Sequence, residues 1–554
     1  MIDVLIVGAG PTGLTLAAEL ARHGASYRIV ELLDRPNDKS KALGVHARTL
    51  EALDDMGLVD RALAVGRVLH GASVYSESKR IAHVDFDEVD SPYPFVLCLP
   101  QAETERLLEA LVVERGGHVE RSTKVTALTQ DDEGVAATVE RVGGVIESER
   151  FRWVVGCDGS HSAVRHALGL PFEGAKYEEA FALADVTLVG DVANDEMHAH
   201  LSPDGLLAAI PLPGPGRFRL VVDRPRDEAE APATLEEFQR AFATRARDDI
   251  EVRDPTWMAP FQIHRRIVSH YRVGRVFLAG DAAHIHSPVA GQGMNTGIQD
   301  AYNLAWKLAL VAKGACSPEL LDSYEEERRP IAAATVEGTD FATRVVTLRN
   351  PIARNLRDAL AGFLTSLEVV QARITRTVAE IGLSYRKSRI VEEHRGSMFN
   401  AIADRSTEVP SLSEWLDFGS APHAGDRAPD AALGLPPYGK RAFDYLRGTK
   451  HVLFLFDGGA ETAEGYANMT SLASRVRAKY DAHVAVRFVI PRAEPPAAIA
   501  TETGVILDPE GAFHGRYGAG GECLYLVRPD GYIAYRSQPA DAEKIIAYLA
   551  RILS

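Results

Sequence analysis

Cysteine is scarce in this chain, and its placement rules out two kinds of protein. The four that occur, Cys98, Cys157, Cys316 and Cys523, stand far apart with no Cys-x-x-Cys pair, so neither a disulfide framework nor a thiolate zinc site is indicated. Positive charge is also in deficit. Against 77 Asp and Glu there are 61 Lys and Arg, a formal net charge of −16, and no long basic block offsets it, so no nucleic-acid partner is expected. Long apolar runs are missing as well. The run from Leu304 to Ala312 is broken by Lys307, nothing is long enough to span a bilayer, and no membrane partner is expected. The first residues include Asp3 and lack a basic segment ahead of an apolar core, so no secretory signal is read and a cytoplasmic location is expected. The sequon Asn468-Met469-Thr470 is then coincidental.

What is present is the composition of an ordinary globular protein, 46% hydrophobic and 25% charged. A chain of 554 residues is too long for one core and implies several domains.

The most informative stretch runs from Ile2 to Glu31. A short β-branched run, Ile2 to Val7, leads into Gly8-Ala9-Gly10-Pro11-Thr12-Gly13, a helical pattern with Leu14, Ala17, Ala18 and Leu20 on its apolar face, and a second strand, Tyr27 to Val30. This is a βαβ unit for a dinucleotide. Gly8 allows the turn off the strand, Gly10 lets the backbone approach a pyrophosphate, and Gly13 lets helix and strand pack closely. The helix N-terminus supplies free N–H groups and the positive dipole end. Glu31, about 20 residues beyond the glycines, is placed to accept from an adenosine ribose. An acid there repels a 2′-phosphate and suits FAD or NAD.

Farther along, a helix is predicted from Ala47 to Met56 with Arg48 at its start, facing the nucleotide or lying on the surface, and another from Ala102 to Glu114, opened by Gln101. Residues 70 to 96 read as short strands and turns. Strands at Lys124 to Leu128, Val135 to Glu140 and Val145 to Glu149 fit an antiparallel crossover. The apolar run Trp153 to Gly156 then enters the turn Asp158-Gly159, with Ser162 and Arg165 on a helix start. No second G-x-G-x-x-G follows a strand, so a second nucleotide has no Rossmann domain of its own. From Tyr177 to Arg224 the pattern becomes alternating strands with Pro/Gly turns, a mixed sheet, followed by a helix from Leu235 to Arg245. A strand at Arg275 to Ala279 leads to Gly280-Asp281 and a Gly-rich loop, Ser287 to Asn295, feeding a helix with Ile298, Ala301, Leu304, Ala305 and Leu308 on one face. His284-Ile285-His286 has no further ligand set at metal spacing, so no metal is expected. Residues 319 to 400 read as mostly helical with a break at Arg328-Arg329-Pro330, and Leu416 to Lys440 as a linker. The tail has a βαβ then ββα order that looks thioredoxin-like, but Gly458-Gly459-Ala460-Glu461, where a redox pair would sit, contains no cysteine, so a structural domain without thiol chemistry is expected.

Together, Gly8 to Gly13, Asp158-Gly159 with Ser162 and Arg165, and Gly280-Asp281 with Pro288 and Gly291 to Asn295 resemble the class A FAD-dependent monooxygenases, the para-hydroxybenzoate and phenol hydroxylase family. The tail is similar to that of the phenol hydroxylase and aromatic polyketide hydroxylase branch. The resemblance implies an α/β chain: a Rossmann-like FAD-binding domain (1–176 and 265–345), an inserted mixed β-sheet substrate domain (177–264), a helical connection (346–409) and a thioredoxin-like C-terminal domain (410–554). It implies that Gly8, Gly10, Pro11, Thr12, Gly13, Glu31 and Leu32 hold the ADP half of FAD, that Arg48 lies near the pyrophosphate, and that Gln101, Gly280 and Asp281 serve the ribityl chain. Asp158, Gly159 and Arg165 are implicated with FAD and NAD(P)H. Pro288, Gly291, Gly293, Met294 and Asn295 form the catalytic turn at the flavin, where a helix N-terminus stabilises negative charge on the reduced ring. Ser287 departs from the family, many members of which have a second proline there.

The implied activity is hydroxylation of a phenolic or polycyclic, polyketide-type aromatic compound through a flavin C4a-hydroperoxide, with FAD, NADPH or NADH as co-substrate, and molecular oxygen. Two readings stay open: a Baeyer–Villiger insertion on the same scaffold, and a flavin oxidoreductase that transfers hydride without inserting oxygen. A flavin-dependent halogenase is disfavoured because Trp153, Trp257, Trp306 and Trp415 are isolated, and a non-enzymatic flavin scaffold predicts bound FAD without turnover. No general base identifies itself in 177–264. The tail is expected to pack on its own chain or to build a homodimer. Deleting residues 410–554 is expected to leave flavin affinity largely intact if the three motifs carry it.

Overall fold

The computed structural model describes residues 1–553 apart from 39, 41, 77–78, 247–248, 288–290, 347–367, 397–411, 434–439 and 459–462. These fall into two units, one of residues 1–305 and 328–381, the other of residues 306–327 and 382–554.

In the first unit, strand Ile2–Val7 is the middle of a parallel array. Its Val4, Leu5 and Ile6 are fully buried, as an apolar run covered on both faces requires. On one side lie Tyr27–Val30 and Val119–Glu120, on the other Val145–Gly156 and Val276–Leu278, all parallel to their neighbours. The sequence treats Val145 to Glu149 and Trp153 to Gly156 as separate runs. They are one strand that changes partner: its first half pairs antiparallel with Val135–Arg141, its second half parallel with Ile2–Val7, and Phe151 faces both Val135 and Ile2.

A second sheet of eight strands is built around two long antiparallel partners, Phe172–Val189 and Glu251–Val268. The second of these is hidden in the sequence, because Arg253-Asp254-Pro255 and Arg265-Arg266 interrupt any alternation. Gly71–Ser76 and Lys79–Asp85, from the 70 to 96 segment, also join this sheet. Helix Leu235–Arg245 seals one face, where Phe238, Phe242, Leu207, Leu220 and Val222 pack together.

Helix Asp322–Val346 runs straight through Pro330, where the sequence predicts a break. The proline removes one N–H and disfavours the helix, but the turn before it is anchored by buried Glu327 and Arg328. Arg328 donates to Asp300 at 2.7 Å with neither side chain exposed.

The second unit carries a six-stranded sheet. His451–Phe456 and Val484–Ile490 are parallel across helix Ala463–Tyr480, Cys523–Val527 and Ile533–Gln538 form a hairpin, and helix Ala542–Ile552 follows, the thioredoxin-like order. Gly459, Ala460 and Glu461 lie outside the described residues. Leu412–Ser420 is a helix overlapping the start of the expected linker, held because Phe418 is fully buried in this unit's core.

Four charges are buried together in this unit. Arg528 forms two bonds to Glu327 at 2.6 and 3.0 Å, Lys307 donates to Glu327 at 2.7 Å, and Arg528 also binds Asp530. Burial pulls Lys307 down to about 8 against the opposing pull of Glu327. Two acids balance two bases, so removing one leaves a buried net charge. Arg528→Met is therefore expected to destabilise the second unit by about 3–5 kcal/mol, read as a lower denaturation midpoint by chemical unfolding. A cut at residue 410 instead removes Arg528 and Asp530 together and leaves Lys307 paired with Glu327 at net zero charge, so the truncation is expected to lose the packing over that pair rather than to bury an unmatched charge.

Candidate active site

Parallel strands end on one edge of a sheet, and that edge is where the motifs meet. Gly8 follows strand Ile2–Val7, Glu31 follows Tyr27–Val30, Cys157-Asp158 follows Val145–Gly156, and Ala279-Gly280 follows Val276–Leu278. Neighbouring strands of an open α/β sheet place their carboxyl-end loops around one crevice.

Gly8 has φ +105°, and a Cβ there would lie 2.4 Å from the Cys157 carbonyl oxygen; a Cβ on Gly13 would lie 2.0 Å from the Gly8 carbonyl oxygen. Backbones touch at both positions. Gly10 differs: a Cβ there would meet nothing within 4 Å, so the space before helix Pro11–Arg22 is open. Pro11 sits in that helix's first turn, which has no acidic residue. The Glu31 carboxylate accepts from Ala9 N–H at 2.7 Å and from Leu33 N–H at 2.9 Å, which fixes it beside the glycine turn. Leu32 points outward and is 63% exposed. Thr12 Oγ1 packs against Gly280, within 2.5 Å of where a Cβ would stand.

Asp158 caps the short helix Ala163–Ala167 through Ala163 N–H (2.7 Å) and Val164 N–H (3.2 Å). Its other oxygen, Oδ1, is buried without a hydrogen-bond partner among the described residues. Gly159 adopts φ +76°, which the turn requires. Arg165 is buried, donates to the carbonyls of Ser160 (2.8 Å) and Ala282 (3.1 Å), and lies 4.1 Å above the Phe172 ring. It ties the Asp158 turn to the Gly280 turn.

The Gly280 turn is fixed from behind by Asp300. One oxygen of this fully buried carboxylate accepts from Gly280 N–H at 3.0 Å and bonds His284 Nε2 at 2.8 Å; the other accepts from Arg328 at 2.7 Å. Burial pushes its pKa up, but Arg328 and His284 outweigh that and hold it below the ordinary carboxylate range. Asp281 itself is exposed. His286 stacks on His284 at 6.4 Å and bonds the Ser287 carbonyl at 2.9 Å; burial and then His284 pull it to about 4, so it is neutral. Among the described residues no metal-binding group exists.

The turn that opens helix Gly293–Ala312 is held by its own side chains. Asn295 accepts from His46 N–H at 3.0 Å and donates to the carbonyls of Gly44 (2.8 Å) and Gly291 (2.9 Å). Its amide is fully engaged, so it positions the turn. Gly291 has φ +65° and Met294 is buried. Pro288 lies outside the described residues. Ser287, in place of a family proline, accepts from Thr343 Oγ1 at 2.8 Å, a hydrogen bond in place of ring stiffness. Gln101 bonds Ala42 and Glu105, the latter at 2.8 Å. Arg48 is buried, not on the surface, and pairs with Glu51 at 2.9 Å.

These residues fit FAD. The open Gly10 cradle, the fixed Glu31 carboxylate and the unpaired Asp158 oxygen suit a dinucleotide, and the first turn of the Gly293 helix carries no acidic residue that would oppose an anionic ring. Asp300, Arg328 and His46 escape a reading by motif. Asp300 carried a signal: it is an acid one turn ahead of Leu304 on an apolar helix face, where an unpaired charge is too costly to keep.

Residues 1–339 match the family model described as an FAD binding domain, and residues 421–554 the one described as the aromatic-ring hydroxylase C-terminal domain. The chain is 34% identical to a 6-methylpretetramide 4-monooxygenase from Streptomyces rimosus, over 99% of this chain and 93% of that one. It is 32% identical to a pentachlorophenol 4-monooxygenase from Sphingobium chlorophenolicum, over 96% and 93%. Among solved structures, the OxyS anhydrotetracycline hydroxylase from Streptomyces rimosus superposes with a TM-score of 0.72 at 31% identity, covering 99% and 98%.

Gly10→Ala and Gly13→Ala separate cradle from packing. Gly10→Ala is expected to fold normally and to bind FAD at least about tenfold more weakly, ~1.4 kcal/mol, by flavin fluorescence titration. Gly13→Ala is expected to lower the melting midpoint itself, since its Cβ meets backbone.

Proposed function

The chain belongs to the FAD-dependent aromatic-ring hydroxylases, and on that premise we propose that this monooxygenase hydroxylates a phenolic or polycyclic, polyketide-type aromatic compound with NADPH or NADH as reductant. The observation that carries the substrate class is the asymmetry of the second sheet. Residues paired across strands share a face. On one face Leu207, Ala209 and Leu220 are fully buried under helix Leu235–Arg245. On the other, Phe181 and Leu183 are buried, while Ala208 and Val221 and, on the strand whose residues 257–261 have a partner on one side alone, Trp257, Ala259 and Phe261 stay half-buried. A partly open, largely apolar face with two half-buried aromatic rings suits a flat hydrophobic guest.

Half-buried Trp257 and Phe261 offer faces for aromatic rings, and Phe261 is backed by buried Phe181, stacked on it at 5.4 Å. Beside them the Arg219 guanidinium is clamped to Asp185 by bonds of 2.7 and 2.8 Å and lies 5.1 Å from the Trp257 ring centre. That pair is a polar edge in an apolar wall, suited to a substrate with phenolic or carbonyl oxygens.

In this reading Gly8, Gly10, Gly13 and Glu31 hold the ADP half of FAD, Gln101 and Asp281 serve the ribityl chain, and the Gly291–Asn295 turn faces the ring system. FAD, once reduced, supplies the electrons that activate dioxygen for transfer of one oxygen atom to the substrate. The protein's own part is electrostatic and steric: the N-terminus of the Gly293 helix favours negative charge on the cofactor, and the apolar wall excludes water from the reacting atoms. No nucleophilic side chain is needed. Cys157, at the heart of the nucleotide turn, has its thiol pushed well up by burial.

The test is anaerobic flavin reduction by NADPH and by NADH, with and without bulky phenols, followed by admission of labelled oxygen. Faster reduction with a phenol present and one labelled atom in the product is the expected result. A rearranged carbon skeleton in that product would identify Baeyer–Villiger insertion, and fast reduction indifferent to every phenol, with no label incorporated, would overturn the proposal in favour of hydride transfer.

A further inference from the structure

Glu380 has no part in the family motifs, yet it is buried against the flavin-facing helix. It follows helix Glu368–Val378 and adopts φ +58°, a conformation that disfavours any residue with a Cβ and is usually given to glycine at a helix end. Its side chain is only 4% exposed, and its carboxyl accepts a hydrogen bond from Gln299 Nε2 on the Gly293 helix. Two further bonds join the same segment to the site. Gln292 Nε2 donates to the Thr377 carbonyl and Arg48 N–H to the Ala379 carbonyl, each at 3.2 Å. Gln292 adjoins Gly293, and Arg48 lies in the first turn of the helix capped by His46, the partner of Asn295. A strained, buried non-glycine residue points to a retained side-chain role.

We infer that Glu380 is a positioning residue for the flavin-facing turn, its carboxyl clamping the end of the Glu368 helix onto the Gly293 helix. This rests on the reading that Gly291–Asn295 face the flavin. The charged groups around Glu380 are Arg328 from the Asp322 helix and Asp300 from the Gly293 helix. Burial dominates and lifts Glu380 to about 8 from an ordinary 4.5, opposed by Arg328 and the Gln299 bond. A folded-state value above the unfolded one means that the folded form binds the extra proton. The contribution of Glu380 is then fully present below pH 4.5 and is lost as pH rises through 8. Above that, a second carboxylate faces Asp300 and the clamp loosens.

The test uses the full-length protein stripped of flavin and titrated with FAD from pH 6 to 9.5, with the melting midpoint of the holoenzyme followed alongside. Glu380→Gln keeps the acceptor and removes the titration. It is expected to bind FAD as the unchanged chain does at pH 7 and to lack that chain's alkaline weakening. Glu380→Gly deletes the side chain while relieving the backbone, and is expected to weaken FAD binding about tenfold. Tight binding by Glu380→Gly, or an alkaline decline retained in Glu380→Gln, would overturn the inference. Gly10→Ala in the same titration separates the two failures: loss there with none in Glu380→Gly overturns only the clamp, whereas no loss in either overturns the cofactor reading as well.

Discussion

Asp300 is the constraint on which the edge that gathers the motifs depends. A carboxylate with no solvent exposure is kept only if its charge is matched, and here Arg328 supplies the charge while His284 and the Gly280 amide complete its hydrogen bonds. Each partner comes from a different part of the chain: a long helix, the stacked histidines, and the turn after strand Val276–Leu278. Satisfying one buried anion therefore fixes the relative placement of three segments. Arg165 extends this by bonding the Ala282 carbonyl from the Asp158 side. The site is rigid because its polar groups are committed to the protein's own backbone.

The same economy separates holding from reacting. Asn295, Arg165 and the capping oxygen of Asp158 are engaged in positioning, while the places left open are a glycine with nothing before it, a helix start without acids, and the half-buried rings of Trp257 and Phe261. That pattern suits an enzyme whose chemistry resides in its cofactor.

Sequence reasoning was strongest where local pattern and local structure coincide. Ile2 to Glu31 folds as a βαβ unit, and helix Leu235–Arg245 has the bounds that its periodicity predicts. It was weakest where a distant partner overrides a local preference. Pro330 should end a helix, but the buried Glu327 and Arg328 in the turn before it anchor the helix that runs through it. Strand Glu251–Val268 is disguised by its prolines and arginines, yet pairs along Phe172–Val189 for most of its length. Arg48 had equal claims to the surface and the interior, and a buried partner in Glu51 decided the matter.

The sequence by itself determined the chemistry on offer: a dinucleotide turn with its acid, two further motifs in order, a tail without a redox pair, and a charge balance hostile to nucleic acid. Each follows from residue type and short-range spacing, which act within a turn or two of backbone. Only the tertiary structure decided the strand order that brings four strand ends to one edge, the half-buried Trp257 and Phe261 of the second sheet, and the hydrogen bond from Gln299 to Glu380. Those outcomes depend on burial and pairing between residues far apart in the chain, where the favourable term is the whole core's and no local pattern records it.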